Sequence, residues 1–161
     1  MFIFEHKAGT NPTIATYPPG ECAAPLPRGE NILDDVVVIL VVEDDQAVQS
    51  VIEEALSDGG FEITIASSGE QAIELLNAAT PLFRALVTDI NLGRNRMDGW
   101  TVARHARESK PDMPVVYMTG DSADDWASKG VPNSILLTKP FAPAQLVTAV
   151  AQLLNSGTPT A

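Results

Sequence analysis

Four short apolar runs in this sequence are each followed at once by a residue able to handle a phosphoryl group. Glu43 and Asp44 follow Val36 to Val42, Asp89 follows Phe83 to Thr88, Thr119 ends the run from Pro114, and Lys139 follows Ser134 to Thr138. Three acids brought close together repel one another and hold at least one pKa high unless a cation joins them. Hard carboxylate oxygens suit magnesium, or manganese, as that cation. A lysine and a threonine hydroxyl beside such a metal supply a positive charge and a donor for phosphoryl oxygens. An acid in that company can act as a nucleophile and form an acyl phosphate.

That chemistry needs elements that bring four separate chain positions to one place. Val36 to Val42 is continuously apolar and rich in β-branched residues, as expected of a central strand buried on both faces. Ala47, Val48, Val51, Ile52, Ala55 and Leu56 then recur at helical spacing until Gly59-Gly60 stops the helix. Phe61 to Ala66 reads as a second strand, and Ser68 with Gln71 as a capping box for a helix reaching about Ala79. A third strand runs from Phe83 to Thr88, and Trp100, Val102, Ala103 and Ala106 mark a helix closed by Pro111. Pro114 to Thr119, Ser122 to Lys129, Ser134 to Thr138 and an amphipathic segment around Leu146, Val147, Val150, Leu153 and Leu154 complete five βα units. The expected fold class is α/β, an open doubly wound parallel sheet, since a closed barrel needs eight units. In such sheets the ligand crevice lies outside the carboxyl ends of the strands, where all the singled-out residues fall.

Composition narrows the partners. The chain has 161 residues, 45% of them apolar, enough for one domain with a real core. Ten basic and twenty-one acidic residues give a net charge of −11, which opposes binding to nucleic acid or to an anionic membrane surface. Cys22 is the only cysteine, so no intramolecular disulfide forms and Cys22 reads as a spare thiol in a reducing compartment. No apolar stretch approaches the roughly twenty residues needed to span a bilayer, and Met1 to Lys7 lacks the pattern of a secretory signal. The expected location is the cytoplasm. Residues 1–34, with five prolines from Pro12 to Pro27, read as a flexible arm, with Phe2-Ile3-Phe4 as a less favoured partner-binding peptide. The expected domain covers 35–155, with a disordered tail over 156–161.

Five motifs, in order, resemble the signature set of two-component response-regulator receiver domains: Val41-Val42-Glu43-Asp44-Asp45, Thr88-Asp89-Ile90-Asn91-Leu92, Met97-Asp98-Gly99, Met118-Thr119-Gly120 and Lys139-Pro140-Phe141. The resemblance covers about residues 36–155 and implies a five-stranded, flavodoxin-like sheet of order 2-1-3-4-5 with five helices. It implies Asp89 as phosphoacceptor, Asp44 as a direct magnesium ligand with Glu43 helping through water, and the Asn91 backbone carbonyl as a further ligand. Thr119 and Lys139 would bind phosphoryl oxygens, and the Lys139-Pro140 bond is a candidate for cis geometry. Asn91 and Asp121 occupy the positions that tune dephosphorylation, where their polar pair could orient the attacking water and shorten the signal. A sensor histidine kinase, a histidine-phosphotransfer protein, or both, are the implied partners, together with a target bound by the phosphorylated form. The chain would act without turnover of an external substrate, as a monomer or a phosphorylation-dependent dimer, and the few residues after Leu154 would add no output domain.

Plainer readings stand beside these. Glu43-Asp44-Asp45 could simply open a helix, where acids favour the positive end of the dipole. Asp98-Gly99 reads as a turn that caps the next helix, Trp100 as a packing or half-exposed helix residue, and His105 as a solvated surface histidine in preference to a phosphorelay histidine. Two departures from the family pattern stand out. Gly93-Arg94-Asn95-Arg96 lengthens the loop after Asp89, and Leu136 holds the place where many receivers carry a Tyr or Phe switch. The stretch after Thr119-Gly120 is brief, so the fourth helix should be short. Two rivals remain: a metal-dependent aspartyl phosphohydrolase, disfavoured by Asn91 where a second acid is wanted, and a pseudo-receiver acting only by binding, disfavoured because every acid and the lysine are present.

Overall fold

The computed structural model describes residues 36–94 and 96–157. The expected arm over 1–34 lies outside the described residues, as does most of the expected tail. Five strands alternate with five helices: β1 (Val38–Val42), α1 (Gln46–Asp58), β2 (Glu62–Ala66), α2 (Gly69–Asn77), β3 (Ala85–Asp89), α3 (Gly99–Ser109), β4 (Val115–Thr119), α4 (Trp126–Lys129), β5 (Ser134–Thr138) and α5 (Pro143–Ser156). All neighbouring strands are parallel, in the order β2-β1-β3-β4-β5. The doubly wound sheet read from the sequence is therefore the fold.

Alternation along the strands divides the core into two layers. On one face Leu40, Val42, Leu86, Val115 and Tyr117 pack against α2 and α3 through Ala72, Trp100, Val102, Ala103 and Ala106. On the other, Ile39, Val41, Val87, Val116 and Met118 meet α1 and α5 through Ile52, Leu56, Leu146, Ala149 and Val150. β3 and β4 are buried along their whole length, whereas the edge strands β2 and β5 are only partly covered. Truncating one of the fully buried residues, Leu40 for example, removes a side chain whose loss typically costs about 2–5 kcal/mol.

The boundaries differ from the sequence reading in informative ways. β1 begins at Val38, where pairing with Glu62 starts, and Val36 is exposed. Asp89 lies inside β3, because its backbone pairs with Met118 before the chain leaves the sheet. α2 ends at Asn77, short of Ala79, and α5 runs to Ser156, one residue into the expected tail. The segment after Thr119 forms a 3-10 turn, Ala123–Asp125, before the four-residue α4. Ser68 caps α2 by accepting from Gln71 N at 3.1 Å, but Gln71 Oε1 accepts from Ser67 N at 2.9 Å, so the reciprocal half of the capping box is displaced by one residue. Asp98 caps α3, accepting from Thr101 N at 2.9 Å, and Trp100 packs on Tyr117 with ring centroids 4.7 Å apart, both as read from the sequence. His105 is not merely solvated: its Nε2 lies 3.0 Å from Asn77 Oδ1 on α2. Gly60 ends the α1 turn at φ +89°, a conformation that suits glycine.

Two contacts organise the region beneath α4. The Tyr117 hydroxyl, at full burial, accepts from Val131 N at 3.2 Å. Trp126, partly exposed on α4, donates from Nε1 to Ser134 Oγ at 3.1 Å, and Gly130 packs so closely against its indole that a Cβ there would collide with the ring.

Candidate functional site

Parallel pairing sets the carboxyl ends of β1, β3, β4 and β5 along one rim, where β1 delivers two polar side chains and each of the others one. Glu43 leaves β1 tethered to the sheet, its N–H donating to the Ala66 carbonyl at 3.1 Å. Asp45, two residues on, is the N-cap of α1 and accepts from Ala47 N at 2.8 Å and Val48 N at 3.2 Å. The acidic triplet is thus split between two tasks: Asp45 opens the helix, as the plainer reading held, while Glu43 and Asp44 face the rim. Gln49 on α1 fixes the bend by donating to the Glu43 carbonyl at 2.6 Å and to Ser67 Oγ at 3.2 Å.

Lys139 follows β5 with its N–H bonded to the Thr119 carbonyl at 2.7 Å. Its ammonium reaches between two carboxylates, Glu43 Oε2 at 3.0 Å and Asp89 Oδ2 at 3.1 Å. Glu43 is 1% exposed and Asp89 8%, so these are largely desolvated ion pairs. Burial pushes the Glu43 carboxyl above the ordinary 4.5, outweighing the hydrogen bonds it receives from Lys139 and Asp45, and the charge of Asp89 pushes the same way. Burial would lower Lys139, but its hydrogen bonds to Glu43 and Asp89 reverse this and hold the ammonium above 10.5. The two shifts have different causes: burial raises Glu43 against the pull of Lys139, whereas the two carboxylates raise Lys139 against its burial. The peptide bond from Lys139 to Pro140 is cis, as expected.

Glu43, Asp44 and Asp89 offer carboxylate oxygens within 4.8 Å of one another. With Lys139 they leave two formal negative charges uncompensated, and a divalent cation held by hard oxygens would balance them. The donor set therefore fits a magnesium-type ion. Asn91 stands beside Asp89, its backbone N–H 3.3 Å from Oδ1.

The β4 side is built differently. Thr119 is fully buried, and its hydroxyl oxygen accepts from Ser122 N at 2.8 Å and Asp121 N at 3.3 Å, which leaves the O–H itself as a donor. Asn91 Nδ2 donates to Asp121 Oδ1 at 2.9 Å, so the two expected tuning positions meet each other directly. Leu136, at the aromatic-switch position, is half-buried, and in the ladder it pairs with Tyr117 of β4.

Sequence reasoning gave no role to Gln49 or Ser122 and named Gly99 only within a turn that caps the next helix. A Cβ on Gly99 would collide with the backbone of Asp89 and Ile90, so α3 can start this close to Asp89 only from a glycine. The Asp-Gly motif was the available signal. Ser122 and Gln49 carry no such signal, because the contacts that tie them to other strand ends, Asn91 for Ser122 and Ser67 for Gln49, lie far along the chain.

The sequence was also compared with known proteins. A family model described as the response regulator receiver domain matches residues 39–151. Response regulator MprA of Mycolicibacterium vanbaalenii is 32% identical over 125 residues, covering 76% of this chain and 52% of that protein. Its namesake from Mycobacterium ulcerans is 32% identical over 121 residues, with 74% and 50% covered. The chain therefore spans about half the length of these curated relatives. Among solved structures, a response regulator receiver protein from Sinorhizobium medicae is 48% identical, with a TM-score of 0.74 and 77% of this chain and 98% of that chain covered. The receiver domain of a Francisella response regulator is 25% identical, with a TM-score of 0.65 and 76% and 99% covered. With the strand order, the acid cluster and the matched residues in agreement, the chain belongs to the response regulator receiver domain family of two-component systems.

Proposed function

We propose that Asp89 accepts a phosphoryl group from a phosphohistidine on a sensor histidine kinase or a histidine-phosphotransfer protein. A carboxylate oxygen of Asp89 bonds to phosphorus as the phosphorus–nitrogen bond to the donor imidazole breaks, giving an aspartyl phosphate and a free histidine. The observation that carries this reading is the Lys139 ammonium 3.1 Å from Asp89 Oδ2, at the end of a buried strand and beside two further acids.

Glu43, Asp44 and Asp89, with the Asn91 carbonyl, would hold magnesium or manganese. Bound there, the cation supplies positive charge to the equatorial oxygens of the phosphoryl group. Lys139 binds one of those oxygens and Thr119 donates its hydroxyl to another, while Asn91 and Asp121 tune how fast the group is lost. The protein turns over no external substrate: it loads and unloads itself. The phosphoryl group shifts the population of loop arrangements at the rim, and with it the affinity for a protein target. The acidic surface argues against nucleic acid as that target, and among the described residues no helix is long and apolar enough to cross a membrane. This reading places the protein in the cytoplasm, as a monomer or a phosphorylation-dependent dimer.

Incubation with magnesium and acetyl phosphate, followed by intact mass measurement, tests the core of this. The wild-type chain gains one phosphoryl group and Asp89→Asn gains none. A gain that persists in Asp89→Asn, or no gain in the wild type, overturns the assignment and favours a receiver-like module acting by binding alone.

A further inference from the structure

We propose that Ser122 is a positioning residue whose hydroxyl closes a gate beside Asp89, slowing both the arrival and the loss of the phosphoryl group. The inference rests on the reading of Asp89 as phosphoacceptor and adds a residue to that site.

Asn91, in the loop after β3, reaches across to the loop after β4. Its Nδ2 donates to Asp121 Oδ1 at 2.9 Å and to Ser122 Oγ at 3.3 Å, and Ser122 Oγ donates to the same Asp121 oxygen at 3.2 Å. Three side chains from neighbouring strand ends thus form a closed ring of hydrogen bonds. The backbone anchors both ends of the ring: Ser122 N bonds Thr119 Oγ1 at 2.8 Å, and Asn91 N lies 3.3 Å from Asp89 Oδ1. Asn91 and Asp121 are exposed, whereas the Asp89 side chain beside them is 11% exposed.

The ring bears on mechanism through what it uses up. An attacking water would be aligned by the Asn91 amide and the Asp121 carboxylate. Here Asn91 Nδ2 donates twice and Asp121 Oδ1 accepts twice, so these two atoms are engaged with each other and with Ser122. In this proposal a phosphodonor and a water molecule approach Asp89 past the same ring, and both reach it more readily once the ring has parted. Ser122 holds it shut because a hydroxyl accepts and donates through one atom, which a carboxylate cannot do. In loading from acetyl phosphate, an Asp89 oxygen bonds to phosphorus and acetate leaves with the broken bond's electron pair. In loss, a water oxygen bonds to phosphorus as the bond from phosphorus to the Asp89 oxygen breaks, the carboxylate keeps that bond's electron pair, the water's proton passes to solvent, and inorganic phosphate departs. A gate changes both rates in the same direction, whereas a water-orienting pair changes only the second.

The test follows loading by intact mass in magnesium and acetyl phosphate, then loss after the donor is removed, on the full chain. In Ser122→Ala both rates rise by a shared factor of about three to ten, the size expected for one charge-assisted hydrogen bond near solvent. Ser122→Thr, which keeps the hydroxyl, stays near wild type, and the gain in Ser122→Ala is smaller with phosphoramidate, a more compact donor. Unchanged rates in Ser122→Ala, or slower loss with unchanged loading, overturn the gate. A second readout needs no phosphoryl group: in the unmodified protein, exchange of the Asn91 side-chain amide protons with water speeds up in Ser122→Ala. Unchanged exchange overturns the gate while leaving the role of Asp89 intact. A wild-type chain that gains no phosphoryl mass overturns the reading of Asp89, and the gate falls with it.

Discussion

The two sides of the rim are held by different forces. On the β1, β3 and β5 side, Glu43, Asp89 and Lys139 meet as largely buried charges attached to strands, and moving any one of them exposes an uncompensated charge to a poorly solvating interior. On the β4 side, Asn91, Asp121 and Ser122 meet as polar groups near water, where each bond exchanges readily with solvent. The first arrangement is suited to keeping a fixed geometry and the second to changing. α4, only four residues long and entered through a 3-10 turn, adds little to stiffen the second.

The sharpest way to break this contrast is Lys139→Ala. Removing the shared cation leaves Glu43 and Asp89 facing each other under burial, and the expected loss is about 2 kcal/mol at neutral pH in denaturant unfolding. The folded-state pKa of Glu43 already lies above its unfolded 4.5, and the substitution raises it further. Both folded states bind the proton more tightly than the unfolded chain, the variant more so, so its deficit grows as pH rises past the wild-type folded value, which lies above 4.5, and shrinks as pH falls toward it. A deficit independent of pH would show that the pair is not electrostatically strained.

Tyr117→Phe probes the packing under the second side and should cost about 1 kcal/mol, since Val131 N loses its acceptor. Burial raises the Tyr117 pKa above 10.0, so the native state favours the neutral phenol. Its contribution is fully present below pH 10 and is lost as pH rises through the higher folded value, a loss that Tyr117→Phe should lack in unfolding curves taken above pH 10. Asp121→Ala should change stability by no more than about 0.5 kcal/mol, as exposed substitutions do, yet alter the lifetime of the phosphorylated form. An unchanged lifetime would show that the β4 side takes no part in timing.

The same contrast explains what could be read from the sequence. Continuous apolar runs announce buried parallel strands, and an acid or lysine immediately after such a run can only lie at a strand end, so Glu43, Asp89, Thr119 and Lys139 were legible. Strand starts were not, because Val36 and Val37 have the composition of β1, and only pairing with β2 decides that the strand begins at Val38. Ser122 was hidden because its role comes from Asn91, 31 positions away, and short polar loops look alike. Gln71 shows the limit even for a local motif: the spacing named the right residue, and the loop geometry gave its side chain to Ser67 in place of Ser68.

The two tryptophans sit on opposite sides of this division of labour. Trp100 is sealed against Tyr117 in the rigid layer, while Trp126 stands half in water on α4, tied to β5 through Ser134. The chain therefore carries its own pair of optical probes. Trp100 should emit at shorter wavelength and resist quenching by iodide, and Trp126 should emit at longer wavelength and report any displacement of α4 from β5. With Trp100→Phe, the remaining indole becomes a label-free gauge of whether α4 moves when acetyl phosphate and magnesium are added, as the proposed loading of Asp89 would require.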